Sequence, residues 1–235
     1  TRPSGGDFWG KEKDRPAWPP GYGRRVLSEV DSTLSEAARI APELTGPEWI
    51  LALNQTAARG RRGRMWAMPA GNFAATLVLP LAGSPGQAAL RSFVASLALR
   101  DAFVAVSGRP DAFALKWPND VLLQGGKVAG ILLETISTRG RMSHLAIGIG
   151  VNLAAAPDAS AVEAGAVRPV ALARALGVHV TPEDFLGYLA ASYAHHEDQI
   201  ATFGFAPVRM AWLAGAERLG QIITARTTRD VHVGT

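Results

Sequence analysis

Residues 116–134 read KWPNDVLLQGGKVAGILLE, and this stretch predicts two strands joined by a tight turn. Pro118 lacks an N–H donor and disfavours helical backbone at the residue before it, so the chain is extended or turning there. Gly125 and Gly126 predict the tight turn, because glycine adopts positive φ without a Cβ penalty. The aliphatic run that follows predicts a buried strand. Lys127 therefore enters the sheet among apolar neighbours, where a lysine usually has an anionic partner or a chemical role.

Strand and helix patterns follow one another irregularly along the rest of the chain. Strands outnumber helices and hairpins are present, so the expected fold class is α+β, with a mixed, mostly antiparallel sheet packed with helices. Thr33 followed by Glu36 fits a capping box, which predicts a helix start near Thr33. The other predicted helices cover residues 87–106, 170–176, 182–203 and 207–213, and the other predicted strands cover 25–30, 48–54, 72–81 and 144–152.

The chain has 235 residues, which suits one sizeable domain with small appendages. Residues 1–23 are rich in proline and glycine and predict an N-terminal arm. Residues 24–219 form the predicted main domain. Residues 220–235 return to strand character, and two terminal strands cannot make an independent domain. They therefore either pair with the main domain or begin a small barrel that stops early.

Composition excludes several classes of protein. No segment approaches about 18 consecutive apolar residues, so no membrane span is expected, and the N-terminus lacks the apolar core of a secretory signal. The chain contains no cysteine, which excludes a disulfide, a thiolate nucleophile and a cysteine-ligated zinc ion. The expected compartment is the cytoplasm.

The positive charge is concentrated in one loop. The formal net charge is +4, and four arginines (Arg59, Arg61, Arg62 and Arg64) account for it, so the rest of the chain is formally neutral. Glycines among these arginines let the backbone approach a ligand closely, while one guanidinium group can donate two parallel hydrogen bonds to phosphate oxygens. The loop therefore predicts a phosphate-binding site. A solvated basic loop or an RNA-binding tract is the alternative that the residues leave open.

Other catalytic and binding motifs are incomplete. The GIG sequence at 148–150 follows a strand, but the residue three beyond Gly150 is Leu153, so the dinucleotide-binding fingerprint fails. Valine follows the lysine of the Gly-Lys pair at 126–127, so no Walker phosphate-binding loop is present. The five histidines show no metal-ligand spacing, and the adjacent His195 and His196 are expected at a helix surface.

Four ordered blocks of sequence are more specific than any single motif. They are DST at 31–33; Q at 55 with RGRRGRMW at 59–66; KWPND at 116–120 with GKVAGIL at 126–132; and GIGVN at 148–152. This ordered set resembles the biotin protein ligase family, which includes the biotin–[acetyl-CoA-carboxylase] ligases. The resemblance extends from about Trp18 to Leu219.

The resemblance implies a fold and a domain arrangement. Residues 24–219 would form a biotin/lipoate ligase-like catalytic domain of the class II aminoacyl-tRNA synthetase-like fold. Residues 220–235 would begin the family's small C-terminal SH3-like domain. No winged-helix DNA-binding domain precedes residue 24, so the resemblance is to the monofunctional class, and no DNA partner is expected.

The resemblance also implies a two-step reaction. Biotin and Mg²⁺-ATP give biotinyl-5′-AMP and pyrophosphate, and the biotinyl group then passes to a lysine of a biotin carboxyl carrier protein domain. ATP and biotin are thus the expected substrates and Mg²⁺ the expected ion, with no metal ligands indicated. The identity of the acceptor protein and the formation of a homodimer are left open.

The family's functional residues match this sequence position by position. The biotin-binding residues implied are Ser32, Thr33, Gln55, Arg59, Gly60, Arg61, Lys127, Gly130 and Leu132. The ATP- or adenylate-binding residues implied are Arg59, Arg61, Trp66, Asn119, Lys127 and Asn152, with Trp66 near the adenine. The catalytic residues implied are Lys127, which contacts the biotin carboxylate and the α-phosphate in the family, and Arg61.

The physical chemistry of these residue types agrees with the resemblance. The ureido group of biotin offers two N–H donors and a carbonyl, which Ser32, Thr33 and Gln55 can satisfy in an otherwise apolar pocket. Carboxylate attack on a phosphate brings two anions together, and Lys127 with Mg²⁺ would offset that repulsion. A loop that closes over the mixed anhydride would keep out the water that hydrolyses it.

Each assignment has a structural alternative. Ser32 and Thr33 could serve only as helix caps, and Lys127 could be an ordinary lysine at a strand edge. Asp120 is interpreted as a partner of a site residue or a turn residue rather than a metal ligand. Arg62 and Arg64 are as compatible with a structural or solvated role as with a functional one.

The sequence departs from the family at two positions. The family usually has asparagine where this chain has Leu34, and glycine where it has Ala58. Leu34 removes one polar group from the biotin end, and Ala58 stiffens the loop and would be strained at positive φ. Both departures are interpreted as changes of affinity rather than loss of activity.

Two other functions remain open. A lipoate or octanoate ligase of related architecture also uses a lysine beside an acyl carboxylate, but its substrate has no ureido group for the polar residues to bind. A non-catalytic basic domain that binds nucleic acid is the second alternative, and its binding would weaken steeply with salt.

Overall fold

The computed structural model describes residues 15–60, 63–81, 84–138, 141–158, 166–226 and 230–234. These residues form a seven-stranded sheet, a two-stranded sheet and six α-helices, which confirms the α+β class. The strands are β1 (Gly23–Leu27), β2 (Glu48–Ala52), β3 (Phe73–Pro80), β4 (Phe113–Lys116), β5 (Asp120–Leu123), β6 (Gly126–Thr138), β7 (Arg141–Val151), β8 (Ile223–Arg226) and β9 (Val231–Gly234). The helices are α1 (Thr33–Ile40), α2 (Pro85–Ala89), α3 (Arg91–Ser107), α4 (Leu172–Leu176), α5 (Pro182–Phe203) and α6 (Phe205–Ala214).

The large sheet has the strand order β1-β2-β3-β7-β6-β5-β4. Strands β1 and β2 are parallel, and every other neighbouring pair is antiparallel, as the sequence predicts. The long strands β6 and β7 form the centre of the sheet, and β7 also pairs with β3. Residues 116–134, the stretch quoted first, therefore supply β5 and the first part of β6.

The two faces of the sheet are covered differently. One face carries the main hydrophobic core, in which α3 and α5 pack against buried strand residues such as Trp49, Phe73 and Leu77. The other face carries α1 and a smaller apolar cluster that includes Leu34 and Ile50. Because α1 has only eight residues, it covers only part of this second face.

The tight turn lies one residue earlier than predicted. Leu123 pairs with Gly126, so the loop between β5 and β6 consists of Gln124 and Gly125. Both loop residues have positive φ, 49° and 77°, because a two-residue hairpin loop must match the twist of its strands. Gly126 is instead the first residue of β6, and it is buried against Val170.

The predicted helix at 87–106 is two helices rather than one. Leu90 separates α2 from α3, and its N–H donates to Gln87 O, only three residues earlier. Such a 3₁₀-type bond tightens the chain between the two helices. The predicted bounds of α5 agree with the structure at both ends.

The prediction that His196 lies at the surface is wrong. Its relative exposure is 7%, and its Nε2 lies 2.7 Å from Asp101 Oδ2 on α3. Packing of α5 against α3 buries this ring, which a helix pattern alone does not reveal.

Strands β8 and β9 form a separate antiparallel pair whose apolar residues Ile223, Val231 and Val233 are exposed. The division into an arm at 1–23, a main domain at 24–219 and a further segment at 220–235 stays a prediction. Residues 1–14 of that arm lie outside the described residues. Among the helices in the described part of the chain, none has the length and apolar character to cross a membrane.

Replacing Gly126 with alanine tests the packing at the start of β6. The added Cβ would overlap the Val170 side chain, so Gly126→Ala should lower the free energy of unfolding by about 1–3 kcal/mol. Gly187→Ala on α5 is the matched control, because nothing lies within 4 Å of its added Cβ and alanine favours helix. Urea denaturation measures both variants. Equal stability of the two variants would contradict the packing described here.

Candidate active site

Three glycines create a flat surface on the face of the sheet that carries α1. Gly130 of β6 pairs directly with Gly150 of β7, and Leu132 pairs with Gly148. Directly paired residues of antiparallel strands point to the same face, so three neighbouring positions lack side chains there. We call Gly130, Gly148 and Gly150 the glycine surface. Its two rows, at Gly148 and at Gly150, are separated by about 7 Å along β7.

Trp66 lies directly on this surface. A Cβ added to Gly150 would come within 2.6–2.8 Å of the Trp66 indole, so only glycine allows this contact. The backbone N–H of Trp66 donates to Ala58 O at 3.0 Å, which fixes this residue next to the start of the arginine loop. The buried Trp66 Nε1 has no hydrogen-bond partner among the described residues. The family resemblance implies that Trp66 lies near the adenine, and in the structure its ring lies beside Lys127.

Lys127 lies at the Gly150 row. Its Nζ is 2.7 Å from Asp120 Oδ1 and 5.7 Å from the centre of the Trp66 ring. A Cβ added to Gly130 would lie 3.3 Å from that Nζ. The anionic partner expected for Lys127 is thus Asp120, in the role interpreted for it from the sequence.

A β-bulge turns Lys127 toward the glycine surface. In a regular strand Lys127 and Gly130 would point to opposite faces, because successive side chains alternate. The pairing shifts register between Val121 and Leu122, so one additional residue of β6 is accommodated between Lys127 and Ala129. This extra residue restores Lys127 to the face of Gly130. The Lys127 backbone is fixed on its other side by bonds with Arg168 O at 2.8 Å and Val170 N at 2.9 Å.

A chain of polar side chains, buried at Thr33 and Thr76 and half-buried at Gln55, lies at the Gly148 row. Gln55 Oε1 accepts from Thr33 N at 2.7 Å and from Thr33 Oγ1 at 3.2 Å. Thr33 Oγ1 in turn lies 2.8 Å from Thr76 Oγ1. The N-cap of α1 is Ser32, whose side chain makes no capping hydrogen bond, so the predicted capping box of Thr33 and Glu36 is wrong. The hydroxyl of Thr33 is engaged with Gln55 instead.

Hydrogen bonds from Arg59, which we call the latch, hold the start of the arginine loop. Residues Arg59 and Met65 form an antiparallel bridge, and Gly60 N donates to Arg64 O at 2.7 Å. Arg59 donates to Glu134 Oε2 at 2.8 Å and to Ser35 Oγ at 2.9 Å. The hydrogen bonds to Glu134 raise the pKa of Arg59 above its ordinary value. This latch joins the loop to β6 and α1.

Some predicted site residues lie outside the described residues or away from the surface. Arg61, predicted to be catalytic and to bind both substrates, and Arg62 lie outside the described residues. Asn119 donates to Ile131 O at 2.7 Å and lines a cleft of about 320 Å³ between α2 and β6, which Leu132 and Glu134 also line. Asn152 directly follows β7 and is 2% exposed, and its Oδ1 has no hydrogen-bond partner among the described residues.

The two departures from the family pattern have local explanations. Leu34 is buried, and its side chain lies about 3.0 Å from the position of a Cβ added to Gly148. It packs with Leu132 in the small apolar cluster under α1. Ala58 is also buried, and it is not among the residues with positive φ, so the strain expected there does not arise.

Sequence reasoning missed three partners of the predicted residues. Thr76 was included in a predicted strand but not in the site, and Glu134 and Ser35 were not recognised as partners of Arg59. Alternation along β3 places Thr76 on the less covered face of the sheet, which is the one signal that could have found it. In the described parts of the chain, no group of three or more His, Asp or Glu side chains could hold a metal ion.

Comparison with known proteins identifies relatives over most of the chain. Residues 23–152 match the model of the Biotin/lipoate A/B protein ligase family. The chain is 55% identical to the biotin–[acetyl-CoA-carboxylase] ligase of Paracoccus denitrificans, covering 88% of this chain and 87% of that protein. It is 30% identical to the bifunctional ligase/repressor BirA of Bacillus subtilis, covering 89% of this chain and 63% of that protein.

Solved structures of similar fold include two biotin protein ligases. The Aquifex aeolicus enzyme, in complex with biotin and ATP, gives a TM-score of 0.76 at 23% identity, covering 90% of this chain and 85% of that chain. The Leishmania major enzyme, in complex with biotinyl-5-AMP, gives a TM-score of 0.70 at 25% identity, covering 90% and 88%. These likenesses confirm the expected catalytic-domain fold.

Loosening the latch should expose the arginine loop to trypsin. Glu134→Gln keeps the side-chain shape but removes the charge that pairs with Arg59, so cleavage after Arg59 should become several-fold faster. Glu197→Gln is the matched control, because it removes an ion pair with Arg91 elsewhere in the fold. Limited proteolysis followed by mass spectrometry measures the rate. An unchanged rate in Glu134→Gln would show that the latch does not hold the loop.

Proposed function

The chain belongs to the biotin/lipoate A/B protein ligase family, and from this premise we propose that it is a biotin protein ligase. It activates biotin with ATP to biotinyl-5′-AMP and transfers the biotinyl group to a lysine of a carrier protein. The observation that carries the proposal is that one glycine surface brings together the Thr33–Gln55 pair and the Lys127 amine, in adjacent rows. Biotin has a cyclic urea at one end and a carboxylate at the other, which suits these two groups.

The polar pair favours biotin over lipoate or octanoate. Lipoyl and octanoyl chains have a carboxylate for Lys127 but no group that can bind both an amide N–H and a hydroxyl oxygen. Buried polar atoms left without a partner cost about 1–3 kcal/mol each. A site that binds a ureido group therefore discriminates against a substrate that lacks one.

In the first step, a carboxylate oxygen of biotin attacks the α-phosphorus of ATP. The new acyl–phosphate bond forms as the bond between the α-phosphorus and the bridging oxygen breaks, and pyrophosphate leaves. Two anions approach each other, and the Lys127 ammonium group stabilises the charge that develops between them. Asp120 holds this ammonium in position at 2.7 Å.

In the second step, the amine of the acceptor lysine attacks the acyl carbon and AMP leaves. The adenylate has to survive until the acceptor arrives, so water must be kept away. Trp66, which lies beside Lys127, and Arg59, which is latched to β6 and α1, would flank the adenylate and limit the access of water to it. The buried Asn152 Oδ1 offers an acceptor for a hydroxyl or an N–H of the adenylate.

The remaining partners follow from this reaction. We propose that a biotin carboxyl carrier protein domain supplies the acceptor lysine and that the reaction takes place in the cytoplasm, where ATP is available. Mg²⁺ would enter with ATP, since Mg²⁺ is commonly held by substrate phosphates and only one or two carboxylates. The assignment of Arg61 as a catalytic residue rests on the family resemblance alone.

The substrate proposal predicts biotin-dependent exchange of labelled pyrophosphate into ATP. The rate with biotin should exceed the rate with lipoate or octanoate at least about a hundredfold, because neither analogue binds the ureido end of the site. Exchange with lipoate or octanoate but not with biotin would contradict the proposal that biotin is the substrate.

Replacing Lys127 tests the proposed charge stabilisation. Lys127→Met keeps the length and apolar stem but removes the ammonium, so exchange should fall by about a hundredfold or more, equivalent to roughly 3 kcal/mol in the barrier. Arg174→Met is the control, because it removes a charge from an exposed position on α4. Thermal melting checks that both variants are folded. A folded Lys127→Met variant with the wild-type exchange rate would refute the proposed role of Lys127.

A further inference from the structure

We propose that Thr76 is a positioning residue that fixes the direction of the hydrogen bonds at the ureido end of the site. Thr76 lies at the centre of β3, is fully buried and pairs with Ile50 on one side and Gly148 on the other. The inference rests on the proposed function, because it assigns which groups donate and which accept hydrogen bonds where the biotin ring would bind.

The direction of each hydrogen bond follows from one backbone donor. The N–H of Thr33 can only donate, so the Gln55 atom at 2.7 Å from it must be the amide oxygen. That oxygen only accepts, so the Thr33 hydroxyl at 3.2 Å must donate its single proton to it. The proton between Thr33 Oγ1 and Thr76 Oγ1, which are 2.8 Å apart, must then belong to Thr76.

This chain of bonds leaves a defined set of groups for a ligand. Thr33 Oγ1 donates once and accepts once, so one lone pair remains. Both lone pairs of Gln55 Oε1 are used by Thr33, so the amide presents its Nε2 donors, one of which points to Met68 Sδ at 3.5 Å. The free lone pair of Thr33 Oγ1 can accept a hydrogen bond from an N–H of a cyclic urea. The Nε2 group of Gln55 can donate to the neighbouring urea carbonyl.

Thr76 sets this polarity without needing to touch the ligand. Without the Thr76 proton, the Thr33 hydroxyl loses one of its two hydrogen bonds within the protein at a buried position and is free to rotate. A rotated hydroxyl presents a proton to the ureido N–H, which repels it. The effect should therefore appear in biotin binding and not in the chemistry at Lys127.

The test compares Thr76→Val with Thr76→Ser in pyrophosphate exchange. Valine has the shape of threonine without the hydroxyl, so the KM for biotin should rise by about tenfold, the effect of one buried hydrogen bond. The kcat at saturating biotin and the KM for ATP should stay within about twofold. Thr76→Ser keeps the donor and should restore the KM for biotin. Calorimetric titration with biotin should give the same ratio in Kd.

Ser96→Ala is the control for loss of a buried hydroxyl, because Ser96 bonds to Phe93 O and Trp212 Nε1 in the main core. It should lower the melting temperature without changing the KM for biotin. An unchanged KM in Thr76→Val, or an equal rise in Thr76→Val and Thr76→Ser, would overturn the inference about Thr76. Wild-type protein that neither binds biotin nor supports exchange with it would overturn the proposed function itself.

Discussion

Close packing on three glycines is the constraint on which the site depends. Side chains on β6 and β7 would normally cover this part of the sheet, but Gly130, Gly148 and Gly150 leave its backbone accessible to other groups. The Trp66 indole uses this space at one row and Leu34 uses it at the other. A methyl group on Gly150 would displace the indole, so the arrangement requires glycine even in extended strands, where glycine is otherwise unfavourable.

The surroundings of the glycine surface differ in how firmly they are held. Near Gly148, Thr33 on the first turn of α1, Thr76 at the centre of β3 and the half-buried Gln55 form a chain of hydrogen bonds. The start of the arginine loop is held instead by the half-exposed pair of Arg59 and Glu134, with 36% of each side chain exposed. An ion pair of that exposure contributes little stability. The proposed binding groups are therefore held more firmly than the start of the arginine loop, which agrees with the expectation that a ligase admits and then shields its substrate.

The sequence predicted the elements well and their side-chain partners less well. The α+β class, the bounds of α5 and the strands around the central hairpin followed from hydrophobic periodicity and from glycine and proline positions. The direction of the Lys127 side chain did not, because a β-bulge reverses the alternation of β6 and no residue type marks it. Thr76 and Glu134 were missed for a similar reason. Each bonds to a residue that is distant in the sequence, Thr33 and Arg59 respectively, and local patterns describe only neighbours along the chain.

The distance from the biotin carboxylate to Lys127 Nζ, measured in a crystal structure of the chain with biotin, tests most directly whether the glycine surface is the substrate site. The carboxylate should lie within hydrogen-bonding distance, about 2.7–3.2 Å, with the ureido ring against Thr33 and Gln55. Biotin bound in the cleft between α2 and β6, or on the glycine surface with its carboxylate turned away from Lys127, would contradict this assignment.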